Sequence, residues 1–170
     1  MLIRKENESD YKKIYDVVKA AFESADHADG NEQDLVSKLR AGNAFLPELS
    51  LVAEVEGTIV GHIMFTKAWV GETMILALAP LSVNPDYQHR GIGSALIKEG
   101  HRIAVDMGIP YSVVLGSEMY YPRFGYVPAH RYGIKAPFDV PEEKFMACKL
   151  RTDAPAVCGT VEYAEEFGIE

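Results

Sequence analysis

Cysteine is scarce in this chain: Cys148 and Cys158 are the two thiols in 170 residues. A chain of that length can bury a full core without cross-links, so neither cysteine has a necessary structural task. No Cys/His cluster has the spacing of zinc ligands, which argues against a structural metal. Long apolar runs are missing too. The N-terminal MLIRKENESD lacks the apolar stretch of a signal peptide, and no later segment reaches the length of a membrane span. The expected setting is therefore cytoplasmic, where thiols stay reduced. Basic residues are in deficit, 17 Lys and Arg against 25 Asp and Glu, for a net charge of −8. That balance argues against nucleic acid as a partner, because phosphate binding wants a basic face. It is compatible with a cationic substrate, and equally with plain acidic solubility.

Hydrophobic residues make up 48% and charged residues 25% of the chain, the composition of a globular protein. No repeat, low-complexity tract or long linker divides it, so a single domain over residues 1–170 is expected. Leu2 and Ile3 open a short strand. Asn7 can cap a following helix, with Asp10 at its third position, and Tyr11, Ile14, Tyr15, Val18 and Phe22 fall at helical spacing. A polar connector, 24–30, leads to a second helix over 31–40 with Leu35, Val36 and Leu39 along its buried edge.

Two strands are expected over 49–55 and 58–70, joined at Glu56-Gly57, where the glycine supplies a left-handed turn. A third, over 74–83, is apolar nearly throughout, as suits a strand buried on both faces. A long helix follows from about 91 to 107, with Ile92, Ala95, Leu96 and Ile103 on its buried side. Gly108 can end it and Pro110 prevents its continuation. Residues 111–115 form another strand, and the last third is short strands and turns, 144–150 and 157–163 foremost. Strand, two helices, three strands, helix, strand, short helix and strands make an α/β arrangement around a mixed sheet.

The sharpest signal is the run from Val83 through Asn84-Pro85 to Gln88-His89-Arg90-Gly91-Ile92-Gly93, which carries a buried strand through a turn into a helix. The first amides of a helix lack internal partners and lie at the positive end of its dipole. Glycines at 91 and 93 would let a phosphate oxygen approach that backbone closely. A dinucleotide site wants a third glycine where Leu96 stands, and a P-loop wants a lysine after its last glycine, where Ser94 stands. A plain helix start remains a reading of the turn taken alone.

Gln88-x-x-Gly91-x-Gly93 resembles the Q/R-x-x-G-x-G/A signature of the GNAT superfamily of N-acetyltransferases. Downstream, Tyr120-Tyr121-Pro122-Arg123-Phe124-Gly125-Tyr126 is similar to the family's F-Y-x-K-x-G-F segment, with one long helix and one strand between the two. Residues 79–83, 121–125 and 159–163 add a likeness to a bacterial, YhbS-like subgroup. The resemblance implies the GNAT fold, a mixed central sheet splayed between two strands and flanked by helices. It also implies acetyl-CoA as cosubstrate, with no metal. The pantetheine arm would lie in the splay between the 74–83 and 111–115 strands, paired with the backbone of Leu81 and Val83. The implied cofactor contacts are Leu81, Ser82 and Val83 on the strand, and Gln88, His89, Arg90, Gly91, Ile92, Gly93 and Ser94 in the turn. Val114 stands where many family members carry an asparagine, and Ser117 or a backbone group would take over that contact.

The implied activity is transfer of acetyl to a primary amine by direct attack, the acceptor being a small molecule or a peptide, with a homodimer allowed. The alternatives are an acyl-CoA-binding sensor, or an acyltransferase using another acyl group or a hydroxyl acceptor. Tyr121 is the expected general acid: a thiol has a pKa of about 8.5 and a phenol about 10, so a phenol beside the sulfur can share a proton with it as it leaves. Arg123 is placed either to reach phosphate or to cover surface. A base is needed because an alkylamine is almost wholly protonated at neutral pH. Glu54, His62, Glu72 and Glu118 are the candidates, none preferred. The acceptor site is expected between the two N-terminal helices, where Asp26, His27, Asp29 and Glu32 form either an acidic rim or an ordinary polar loop.

Overall fold

The computed structural model describes residues 1–23 and 29–169. The strand β1 (Leu2–Lys5) is followed by Asn7, whose side chain accepts from Ser9 N while the Asp10 carboxylate accepts from the Asn7 amide. This capping box opens a short 3-10 turn that runs into α1 (Tyr11–Glu23). The helix α2 (Glu32–Arg40) follows, and Ile14, Val17 and Val18 of α1 pack with Val36 and Leu39 of α2 against Val52, Ile59 and Met64 of the sheet.

Three long antiparallel strands form the centre: β2 (Phe45–Val55), β3 (Thr58–Val70) and β4 (Thr73–Val83). β2 starts four residues before the expected Leu49. Pro47 lies where the register with β3 shifts, between Phe45 and Ser50, and an irregular step of that kind tolerates a residue with no N–H. α3 (Ile92–Asp106) crosses the opposite face from α1 and α2. Its buried side is Ile92, Leu96, Ile97, Gly100 and Ala104. The stripe is thus centred on Leu96 and Gly100, with the expected Ala95 and Ile103 on its half-buried flank. Gly100 is required there, since a Cβ would collide with the Phe65 ring.

β5 (Tyr111–Leu115) joins β4 in parallel, and the rest of the sheet is β6 (Tyr126–Pro128), β7 (Ile134–Lys135), β8 (Phe145–Lys149) and β9 (Gly159–Glu162). The order is β1-β2-β3-β4-β5-β8-β6, with β9 paired to both β3 and β7. Through β9 the end of the chain returns to the middle of the sheet, next to the far end of β3. Among the described residues, no helix is long and apolar enough to cross a membrane.

Candidate active site

Two irregularities in β4 create the site. Ile63 pairs with Leu81 but Phe65 pairs with Leu78, so β4 holds one extra residue at Ala79-Pro80 and bulges there. On its other side β4 pairs with β5 only at Leu76–Ser112 and Ala77–Val113. Beyond Ala77 the two parallel strands part, leaving residues 78–83 with an open edge. The Asn84 amide donates to Val60 O at 2.8 Å, and the Val83 carbonyl accepts from Gln88 Nε2 at 3.2 Å. Backbone groups of successive residues face opposite ways, so Ser82 bonds toward β3 while Leu81 and Val83 face the opening.

At one end of this opening lies the start of α3. Asn84 Oδ1 accepts the Asp86 amide at 2.9 Å and Pro85 fills the next position, which sets a 3-10 turn over Pro85–Tyr87. The chain then passes through two left-handed residues, His89 (φ 65°) and Gly91 (φ 82°). The glycine adopts that conformation without penalty; His89 is a strained non-glycine exception. The first helical bond runs from Ala95 N to Gly91 O, so the amides of Ile92, Gly93 and Ser94 have no helical acceptor. A Cβ on Gly93 would lie 2.7 Å from the Tyr120 hydroxyl, so only glycine admits that tyrosine beside the helix start. The pocket of about 650 Å³ here is lined by Val83, Gln88, His89, Gly91, Ile92, Gly93 and Ser94, together with Tyr87, Tyr120 and Arg123.

Of the sequence-derived contacts, Leu81 lines the adjoining cavity instead, Ser82 is buried, and Arg90 lies over the Tyr87 ring, 5.1 Å from its centroid. Tyr87 and Tyr120 were not anticipated. Their place depends on the turn geometry and on the approach of a distant segment, neither of which leaves a local pattern. Arg123 stacks over Tyr120 at 4.6 Å and borders the pocket. Ser117 Oγ accepts the Met119 amide at 3.1 Å and so closes its own turn.

At the other end is a cavity of about 690 Å³, walled by residues 78–81 of β4, Val114 and Leu115 of β5, and Tyr121. Tyr121 starts the 3-10 turn Tyr121–Phe124 and packs edge-on against Tyr120 and Tyr126. Burial pushes its phenol well above the ordinary pKa, with a smaller push from Tyr120. The two tyrosines are thus divided, Tyr121 in the cavity and Tyr120 at the helix start. The cavity continues under Phe22 of α1, Leu35 of α2, Pro137, Phe138, Tyr163, Phe167 and Ile169, with Asp29 and Glu32 the charged residues in its wall among those described. Asp26 and His27 lie outside the described residues.

The four candidate bases are placed elsewhere. Glu54 accepts from Arg4, Glu118 pairs with Lys144 at 2.8 Å, and Glu72 sits exposed in the β3–β4 turn. His62 is wholly buried, its Nε2 3.0 Å from Glu6 and 3.1 Å from Ser50 Oγ. Burial drives the His62 pKa down, against the pull of Glu6. Burial likewise drives Glu6 up, but hydrogen bonds from His62, Arg40 and Ser50 outweigh it and hold the carboxyl at about 2. None of the four lines the cavity.

Comparison with known proteins gives a consistent setting. The model of the acetyltransferase (GNAT) family matches residues 11–126. The chain is 34% identical to the uncharacterized N-acetyltransferase YhbS of Escherichia coli K12, over 98% of both chains. It is 44% identical over 117 residues to the uncharacterized N-acetyltransferase YjhQ of the same organism, a match that spans 65% of YjhQ. The crystal structure of Escherichia coli YhbS in complex with CoA superposes with a TM-score of 0.88 at 30% identity, over 98% of this chain and 91% of that one. A GNAT family acetyltransferase from Brucella melitensis in complex with acetyl-CoA gives 0.80 at 34% identity, over 98% and 97%. The parted strands, the glycine turn opening α3 and a family match over residues 11–126 agree: the chain belongs to the GNAT family of acetyltransferases.

Proposed function

We propose that this protein transfers acetyl from acetyl-CoA to a primary amine by direct attack. The observation that carries the reading is the open edge of β4 between residues 78 and 83, with unpartnered helix amides at one end and Tyr121 at the other. The residues suit the cosubstrate. The amides of Ile92, Gly93 and Ser94 offer a pyrophosphate three donors at a positive helix end. The outward peptide groups of Leu81 and Val83 can pair with the amides of the pantetheine arm as a neighbouring strand would. The Escherichia coli YhbS structure in complex with CoA and the Brucella melitensis structure in complex with acetyl-CoA support the choice of cosubstrate.

In the cavity the amine nitrogen attacks the thioester carbonyl, the C–S bond breaks, and the sulfur needs a proton. Tyr121 supplies it. Because burial raises its pKa, the phenol stays protonated throughout the physiological range and is available as a donor. None of the four candidate bases reaches the cavity, so the proton that the ammonium group sheds before attack passes to water or to Asp29 or Glu32 in the wall. The second nitrogen proton, released as the adduct collapses, restores the Tyr121 phenol. The test is steady-state thiol release with acetyl-CoA and a panel of amines, alongside calorimetry with CoA. Amine-dependent thiol release supports the reading. Tight CoA binding with only background release identifies a sensor and overturns it.

A further inference from the structure

The acceptor end of the cavity has a composition of its own. Phe22, Leu35, Phe138, Tyr163, Phe167 and Ile169 present an apolar, largely aromatic wall. The rings of the wall brace one another: Phe138 meets Tyr163 edge-on, as well as Phe145 behind the wall, and Tyr163 meets Phe167 at 5.3 Å between centroids. Four of the six wall residues lie beyond residue 126, where the family match ends. Among the described residues, the charge there has one sign. Asp29 and Glu32 line the cavity, and no Lys, Arg or His does so among the described residues. Glu32 Oε1 accepts the Asp29 amide at 2.7 Å, while Oε2 is shielded from solvent and has no hydrogen-bond partner among the described residues.

We infer that the acceptor is a primary amine with an apolar aryl or branched-alkyl body and no carboxylate. The inference rests on the acetyl-transfer reading and names the substrate class of the same site. An apolar body is favoured because the wall can take its surface out of water. A cationic head is drawn in by two carboxylates, one with an oxygen that no described residue bonds. An α-carboxylate is rejected because it would be buried beside Asp29 and Glu32, with no cation among the described residues of the wall to meet it. A polyamine satisfies the acids but leaves the aromatic wall facing its charges and water. The chemistry thus favours an amine that has lost its carboxyl group over the amino acid itself.

The experiment uses the whole chain with acetyl-CoA and three probes, 2-phenylethylamine, L-phenylalanine and spermidine. The first two share an aryl body and differ by one carboxylate. kcat/KM for 2-phenylethylamine is expected to exceed that for phenylalanine by about 100-fold and that for spermidine by about 10-fold. Glu32→Lys should shrink the first ratio at least tenfold, with CoA binding unchanged as the check on folding; Glu32→Gln, closer in shape, should shrink it in the same direction. Equal rates with phenylalanine, a preference for spermidine, or a ratio untouched by both substitutions would each overturn the inference. If spermidine or a lysine peptide is acetylated and 2-phenylethylamine is not, acetyl transfer stands and the substrate class falls. If no amine releases thiol although CoA binds, both fall.

Discussion

The start of α3 and the wall beneath α1 and α2 lie at opposite ends of one cleft and are built from different materials. The first is almost entirely main chain: three amides without helical acceptors, a left-handed glycine and a strand edge, all within residues 78–94. The second is almost entirely side chain, brought together from residues 22–35 and 137–169. Backbone recognition suits a ligand part that every member of a family shares, because it survives most substitutions. Side-chain recognition can be rebuilt without disturbing the fold. The difference teaches where to look for constancy and where for specificity.

The comparison can be strained most severely with acid, because each face of the sheet hides a histidine. His101 of α3 hydrogen-bonds Tyr126 Oη at 3.0 Å, and burial lowers its pKa from 6.5 to about 4. The unfolded chain therefore takes up this proton first. Stability is complete above pH 6.5 and is lost as pH falls toward 4, by about 3 kcal/mol at ~1.4 kcal/mol per unit. His62, lowered as well, adds to the loss in the same direction. Glu6, held at about 2, contributes a further loss as pH falls below the 4.5 of a free carboxyl. Urea midpoints between pH 7 and 4 measure the total, and His101→Gln should flatten the curve. An unchanged slope in that variant would show that His101 is not the group responsible.

A sharper cut separates the two tyrosines. Tyr121→Phe keeps the ring and should lower kcat by ~100-fold or more, with the KM for acetyl-CoA nearly constant. Tyr120→Phe should cost far less, since that hydroxyl lies beside Gly93 rather than in the cavity. Equal turnover in both variants, with chemistry limiting the rate, would place the acid elsewhere.

Gly93→Asp attacks the backbone end alone. It sets a Cβ against the Tyr120 hydroxyl and a carboxylate where the phosphates are proposed to lie. CoA affinity should fall by ~2 kcal/mol, about 30-fold, by calorimetry. The acceptor wall should keep its packing, visible as an unchanged near-ultraviolet aromatic signal. The smallest effect is expected from Phe167→Ala, which trims the side-chain end. The KM for the amine should rise by ~10-fold, the scale of a partly buried aromatic contact, while CoA binding stays as it was. If CoA binding weakens instead, the two ends are not independent.

The contrast also explains what could be read from the sequence. The glycine turn, the capping box at Asn7 and the alternation of strands and helices are local patterns, and each stands where residue order places it. The division of labour between Tyr120 and Tyr121 could be approached because the motif fixes the register of a short turn. The acceptor wall could not, for it depends on β9 pairing with β3 across more than ninety residues of chain. The candidate bases went astray for the same reason. Glu54, His62 and Glu118 look free in sequence because their partners, Arg4, Glu6 and Lys144, lie 26 to 56 residues away. The early start of β2 was hidden by Pro47, which reads as a strand breaker unless the register shift beside it is known.

The return of the chain end to the cavity has a further consequence, in the order of synthesis. The glycine turn, α3 and β5 are complete by residue 115, whereas Tyr163, Phe167 and Ile169 are made only afterwards. A ribosome therefore finishes the main-chain end of the cleft some fifty residues before the acceptor wall can close. A growing chain passes through a stage in which the parts proposed to hold the cosubstrate exist and the parts that select an acceptor do not.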